Sequence, residues 1–200
     1  MDYESPKIAA TTGVILAGGQ STRFGSNKAL ARLHGKSLIG HIADTLRGLF
    51  SSCLLVTNSP ELFKFLDLPS TGDIFQAAGP LGGLHAALQY ISAPKAFVVG
   101  CDMPMLNPDL IRFLCRLSAA EEWDAVIPWL KRGPEPLCGV YSKNALPIIE
   151  RNLRKNERQL IKTITDLKVR QVSETEILTV VNDLKTFHNI NRLEDLFDLT

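Results

Sequence analysis

One junction recurs along the chain and restricts the fold more than any other feature. A short apolar run breaks directly into a polar or glycine-rich segment, and a helical pattern follows. Val14 to Ala17 runs into Gly18-Gly19, Cys53 to Thr57 into Asn58, and Ala96 to Gly100 into Cys101-Asp102. Apolar runs this short, bounded by such residues, read as buried strands. Between them Leu38, Ile42, Leu46 and Leu49 keep helical spacing, as do Leu81, Leu84, Leu88 and Ile91. Ser59-Pro60 opens a further helix, and Asn107-Pro108 supplies a cap and a first-turn proline for one running to about Ala119. Strand–helix alternation over the first 120 residues predicts an α/β fold: a parallel sheet with helices on both faces. Ligands of such sheets sit beyond the carboxyl ends of the strands. Gly18 to Lys28, Thr57-Asn58 and Gly100 to Pro104 all fall there.

The second half is more mixed. Asp124 to Trp129 and Leu137 to Ser142 read as strands around a turn containing Gly133-Pro134. No helix fits between them, so an antiparallel excursion is expected. Helical stretches follow at Lys143 to Arg154 and Gln159 to Ile164. Val169 to Val172 and Phe187 to Ile190 read as strands, and Arg192 to Phe197 as a closing helix. No linker, repeat or low-complexity tract interrupts the 200 residues, which suit a single domain.

Charge and cysteine usage narrow the function classes. With 22 basic and 21 acidic residues the net charge is +1, which argues against a general nucleic-acid or membrane-surface binder. No apolar run approaches a membrane span, and Met1 to Thr12 lacks the form of a secretory signal. A cytoplasmic protein is expected. Cys53, Cys101, Cys115 and Cys138 show no C-x-x-C spacing and read as reduced thiols. The four scattered histidines give no zinc pattern.

The loop after the first strand reads Leu16-Ala17-Gly18-Gly19-Gln20-Ser21-Thr22-Arg23-Phe24-Gly25-Ser26-Asn27-Lys28. Glycines let backbone N–H groups approach a ligand, and consecutive amides in such a turn make an anion-binding concavity. Arg23 can clamp phosphate oxygens bidentately, and Lys28 adds a point charge. Together they suit a triphosphate. Neither standard nucleotide motif fits. Gly19 and Gly25 enclose five residues with Lys28 three further on, which is no Walker A loop, and G-x-G-x-x-G is absent.

The string L-A-G-G-x-S-x-R-x-G-x-x-K-A-L, Leu16 to Leu30, resembles the signature of the molybdenum cofactor guanylyltransferases. Four more segments match in order: Gly79 to Leu84, Gly100 to Pro104, Glu135 to Tyr141 and Phe187 to Asn191. Phe24 stands where the family commonly has Met, and Arg192-Leu193 where it commonly has Thr-Pro. The resemblance implies a Rossmann-like, three-layer nucleotidyltransferase fold of the glycosyltransferase-A type with a mostly parallel central sheet. It implies a nucleotide-binding part at about residues 13–120 and a pterin-substrate part at about 121–200. The implied reaction transfers GMP from GTP to the phosphate of molybdenum-molybdopterin and releases pyrophosphate. Implied partners are those two substrates, Mg²⁺, and cofactor-insertion proteins and molybdoenzymes.

The resemblance assigns catalysis to Arg23, Lys28 and Asp102, and nucleotide contacts to Leu16, Ala17, Gly18, Gly19, Lys28, Asn58, Asp73 and Asp102. Asp102, at a strand's carboxyl end, is the expected Mg²⁺ ligand, since that ion often binds through one or two carboxylates plus substrate phosphates. Asp102 and Asp73 would otherwise be turn residues, and Asn58 the cap of the Pro60 helix. Cys101 beside Asp102 could suggest a covalent mechanism with His85 as its base, but nothing in the sequence brings His85 to it, and covalent catalysis is not expected. Residues 143–170 carry eight basic side chains against three acids, either a solvated face or a lobe that attracts a phosphorylated substrate. The rival activities are a cytidylyltransferase on the same pterin, another small-molecule nucleotidyltransferase, and a nucleotide-binding module without catalysis. Gly18 favours guanine over cytosine, since the cytidylyl relatives tend to read L-A-A-G.

Overall fold

A computed structural model describes residues 6–18, 28–190 and Asp195. The strands are β1 (Thr11–Leu16), β2 (Arg32–Leu33), β3 (Lys36–Ser37), β4 (Cys53–Val56), β5 (Ser70–Thr71), β6 (Lys95–Gly100), β7 (Ala125–Leu130), β8 (Gly133–Pro134), β9 (Cys138–Ser142) and β10 (Val169–Ser173). The helices are α1 (Leu38–Leu49), α2 (Gly79–Tyr90), α3 (Pro108–Ala120), α4 (Leu146–Arg154), α5 (Leu160–Ile164) and α6 (Glu174–Ile177). The main sheet runs β10-β7-β9-β6-β1-β4-β5, with β8 paired to β7. Every neighbouring pair along it is parallel except those of β9, which runs antiparallel to both β6 and β7. The mostly parallel α/β sheet and the antiparallel excursion therefore match the sequence expectation. The short connection between β7 and β9 permits reversal only, because a parallel return needs a crossover.

Alternate strand residues feed two separate cores, one on each face of the sheet. Ile15, Leu55, Phe97, Val99, Val126 and Val140 pack with Ile39, Ile42 and Leu46 of α1 and Leu110, Ile111 and Leu114 of α3. Val14, Leu16, Val56, Val98 and Ile127 pack with Leu81, Leu84 and Leu88 of α2, Ile149 and Leu153 of α4 and Leu160 of α5. This is the three-layer arrangement. Local chemistry sets the helix starts. The Ser37 hydroxyl accepts from the Gly40 N–H at 3.2 Å, and the Asn107 side chain accepts from Asp109 N at 2.8 Å and Leu110 N at 3.3 Å.

Four details differ from expectation. The helix expected at Ser59-Pro60 is a 3-10 helix, Pro60–Leu66, ended by Asp67 in the left-handed region. The turn after β7 is Lys131-Arg132, while Gly133-Pro134 form β8. Phe187 to Ile190 is no strand. A 3-10 turn at Lys185–Phe187 precedes it, and its backbone is bonded at single points instead of along a ladder. Two-residue β5 and four-residue α6 are too short to leave a periodic signal. Apart from Asp195, the expected closing helix lies outside the described residues.

His85, on the buried face of α2, is 2% exposed, and neither ring nitrogen has a hydrogen-bond partner. Its ring meets Phe75 edge-on at 5.0 Å between centroids. Burial pushes its pKa below 6.5; on α4 the Glu150 carboxylate opposes that shift and Arg154 reinforces it. A depressed folded-state pKa means that the unfolded chain binds the proton more tightly. Stability is therefore held above pH 6.5 and declines as pH falls below it. His85→Leu removes the orphaned polar atoms and should stabilise the fold by about 1 kcal/mol, or roughly 2–4 °C in Tm. Thermal melts from pH 7.5 to 5 should also show a shallower decline in the variant. An unchanged decline would show that another group carries the acid sensitivity.

Candidate functional site

Four parallel strands end side by side, and the candidate residues follow them by one or two positions. The Ala17 N–H donates to Val56 O at 2.9 Å, Cys101 N–H to Leu16 O at 3.2 Å, and Thr57 N–H to Thr71 O at 2.8 Å. These bonds carry the sheet's order past the strand ends. They line up Ala17-Gly18, Cys101-Asp102, Thr57-Asn58 and Gly72-Asp73 along one rim. The chain leaves β1 toward β4 and later returns to its other side as β6. That reversal opens the crevice in which such sheets bind ligands.

At the centre of the rim Lys28 Nζ donates to Asp102 Oδ2 at 3.3 Å, with side chains 13% and 28% exposed. The Asp102 carboxylate folds back over β6. A Cβ on Gly100 would lie 2.6 Å from Asp102 Oδ1, so only glycine leaves the carboxylate this position. Asn58 and Asp73 form a reciprocal pair. Asn58 Nδ2 donates to Asp73 Oδ2 at 2.9 Å, and the Asp73 N–H donates to Asn58 Oδ1 at 2.8 Å. Asn58 therefore braces Asp73; Ser59, at the cap position of the Pro60 helix, makes no side-chain cap bond. Helix α2 comes close to both. A Cβ on Gly83 would stand 3.3 Å from Leu16 Cδ2 and 3.8 Å from Asp73 Oδ1.

Leu16, Ala17, Gly18, Lys28, Asn58, Asp73 and Asp102 thus share one rim. Gly19 and Arg23 lie outside the described residues, as does Asn191. Cys101 does not serve as a nucleophile. Burial, reinforced by the Asp102 charge, pushes its thiol up to about 11, and His85 makes no hydrogen bond to it. Thiol catalysis needs the thiolate. Among the described residues no three His, Cys, Asp or Glu side chains gather as a metal cluster. A cation here would rest on the Asp102 carboxylate and take its other oxygens from ligand and water. That suits Mg²⁺, which keeps several waters.

Every acid of the basic segment is paired within it, and three of its eight basic side chains are answered there. Arg151 pairs with Asp166 at 3.3 Å, Arg154 with Glu150 at 2.5 Å and Lys162 with Glu157 at 3.5 Å. Arg170 pairs with Glu176, and its hydrogen bond is the main reason that this carboxyl falls to about 2. Such pairing is that of a solvated face.

Sequence reasoning missed two contacts that close the rim around Gly100 and Asp102. The Gly100 N–H donates to Leu137 O at 3.1 Å, and the Ile190 N–H donates to Asp102 O at 3.0 Å. The matching segments Glu135 to Tyr141 and Phe187 to Asn191 were visible, but their backbone bonds to the rim leave no mark in side-chain pattern.

A family model described as the MobA-like NTP transferase domain matches residues 13–172. The molybdenum cofactor guanylyltransferase of Desulfosudis oleivorans is 38% identical over 189 residues, covering 94% of this chain and 93% of that protein. Molybdopterin-guanine dinucleotide biosynthesis protein A from Archaeoglobus fulgidus superposes with a TM-score of 0.83 at 25% identity, over 94% of this chain and 95% of that one. A 4-diphosphocytidyl-2C-methyl-D-erythritol synthase from Anaerococcus prevotii, at 13% identity and TM-score 0.65, covers 94% of this chain and 93% of that one; it shares the fold alone. The family match begins inside β1 and ends inside β10, so it takes in the whole rim and the sheet that builds it: the chain belongs to the MobA-like NTP transferases.

Proposed function

We propose that this protein transfers GMP from GTP to the terminal phosphate of molybdenum-molybdopterin, yielding the guanine dinucleotide cofactor and pyrophosphate. The observation that carries this reading is the Lys28–Asp102 pair at the β1/β6 switch point, in a chain 38% identical to a molybdenum cofactor guanylyltransferase. Residues 13–120 would hold the nucleotide and residues 121–200 the pterin substrate.

An oxygen of the pterin phosphate attacks the α-phosphorus of GTP. A P–O bond forms there as the bond to the β-phosphate breaks, and pyrophosphate departs with the electron pair. The attacking phosphate is already ionised, so no general base is needed. Catalysis is then mostly positioning and charge stabilisation. The Gly18 backbone approaches the phosphates, and Lys28 neutralises them as a point charge; Arg23 would clamp them. When bound, Mg²⁺ supplies charge neutralisation between the phosphate groups, and Asp102 would hold it. Asp73, fixed by Asn58, offers an acceptor to a base with donor groups on its edge. Guanine presents its N1–H and 2-amino group as such donors, which favours it over cytosine.

Incubation with molybdopterin and each nucleoside triphosphate under Mg²⁺, followed by product identification, tests the reaction. GTP should also raise the melting temperature more than CTP, ATP or UTP, by mass action on the folded state. Equal protection by CTP would overturn the guanine assignment. Among the described residues a Cβ on Gly18 would meet nothing within 4 Å, so Gly18→Ala should act on the ligand more than on the fold. Its preference for GTP should weaken.

Asp102→Asn keeps the side chain's shape and removes its charge. Metal assistance is worth several kcal/mol, and each 1.36 kcal/mol is tenfold, so turnover should fall by roughly 10² or more. Added Mg²⁺ should recover part of the loss. Gly100→Ala should reach a similar defect by another route: the new methyl group drives the Asp102 carboxylate off β6 while the strand remains. Near-normal rates in both variants at limiting Mg²⁺ would return Asp102 to a turn residue.

A further inference from the structure

Arg132 lies in the turn between β7 and β8 and is not among the residues assigned to the nucleotide. Its guanidinium nevertheless joins the two segments that close the rim beside Asp102. Nε donates to Glu135 Oε1 at 2.8 Å, Nη2 lies 2.6 Å from the same oxygen, and Nη2 also donates to Phe187 O at 2.6 Å. Glu135 begins the segment that reaches β6 through Leu137 O and the Gly100 N–H. Phe187, 1% exposed, anchors the segment that reaches Asp102 O through the Ile190 N–H. Thr186 fastens that segment a second time. Its Oγ1 accepts from Asn107 N and donates to Met105 O, both at 3.0 Å. The main chain around Asp102 is therefore held from two directions, and the Arg132 guanidinium is the side-chain bridge between the two holding segments.

Sheet order says which substrate meets this structure. Gly18, Asn58 and Asp73 lie beyond β1, β4 and β5, on one side of β6. The Glu135 segment leads into β9, on the other side. In-line displacement needs the incoming oxygen opposite the leaving pyrophosphate. The β9 side is therefore where the acceptor phosphate arrives. Resting on the guanylyltransferase reading above, we infer that Arg132 is a positioning residue for the phosphate acceptor: by clamping Glu135 to the Phe187 carbonyl it fixes the acceptor's wall against Asp102. Its planar fork suits this task, since it donates to both acceptors at once in fixed geometry, which a lysine ammonium does not.

The test measures Arg132→Ala, Arg132→Lys, Glu135→Gln and the Ala/Gln double variant against wild type. Acceptor kinetics, GTP affinity by calorimetry with Mg²⁺, and amide hydrogen exchange over residues 186–190 are read for each. Arg132→Ala should lower kcat/KM for the acceptor by roughly 10-fold or more, leave the GTP Kd within about twofold, and speed exchange at Ile190. Arg132→Lys should recover only a minor part of the loss. The double variant should be no worse than Arg132→Ala, because the two side chains act as one unit. Unchanged acceptor kinetics in Arg132→Ala would overturn the inference, as would an equal loss of GTP affinity, which would mark a merely structural role. Wild-type protein that makes no guanine dinucleotide would instead sink the functional reading, and the inference with it.

Discussion

The structure depends on β1 being paired on both sides by strands that continue in opposite directions through the sheet. Register fixes Leu16 opposite Val56 on one flank and Gly100 on the other. Backbone bonds from Ala17 and Cys101 then carry that order one residue beyond the strands. A buried strand cannot slip by one residue without turning its core face outward. Val14 and Ile15 are both fully buried, in different cores, so β1 is pinned from above and below. The site inherits its precision from this lock, because residues just beyond the strand ends have little chain in which to drift.

Within that frame the rim is built from small side chains standing next to glycine. Gly100 gives its space to the Asp102 carboxylate, and Gly83 lets α2 press against Leu16 and Asp73. Neither glycine has a positive φ, so neither is present for turn geometry. They are present for approach. The result is a cleft whose charged groups stand on the sheet's edge and are partly covered, as Lys28 and Asp102 are. Partial burial strengthens their attraction relative to water and leaves a ligand room to replace it.

Much of this was legible because it has a local cause. Apolar runs of strand length, the Asn107-Pro108 cap and the missing helix between β7 and β9 each reflect forces acting within a few residues. Gly18, Asn58, Asp73 and Asp102 stand just beyond strand ends, where such sheets take ligands, and the family resemblance drew attention to them and to Lys28. What escaped had no local cause. Phe187 to Ile190 has apolar ends, yet the Phe187 carbonyl and the Ile190 N–H bond to Arg132 and Asp102, both distant in sequence. Asn58 looked like a helix cap because the capping residue and the Asp73 partner need the same side chain. The basic run around Arg151 left a solvated face and a ligand-attracting lobe both open, and its pairs with Asp166, Glu150 and Glu157 are those of a solvated face.

The two halves of the rim are held by different kinds of bond. On the β1, β4 and β5 side, ladder bonds and the reciprocal Asn58–Asp73 pair act within rigid parallel strands. On the β9 side the antiparallel ladder with β6 ends at Cys138, and beyond it the Glu135 and Phe187 segments are joined by isolated hydrogen bonds. One of them hangs on a side chain that is 54% exposed, Arg132. Segments with few buried contacts and solvent-facing hydrogen bonds open at the lowest free energy. Among the described residues the β1, β4 and β5 side is held by ladders, while the outermost contacts of the β9 side are the ones that open more readily. Opening of those outer contacts would leave the register of β4 and β6 on β1 intact, because no ladder bond is lost with them.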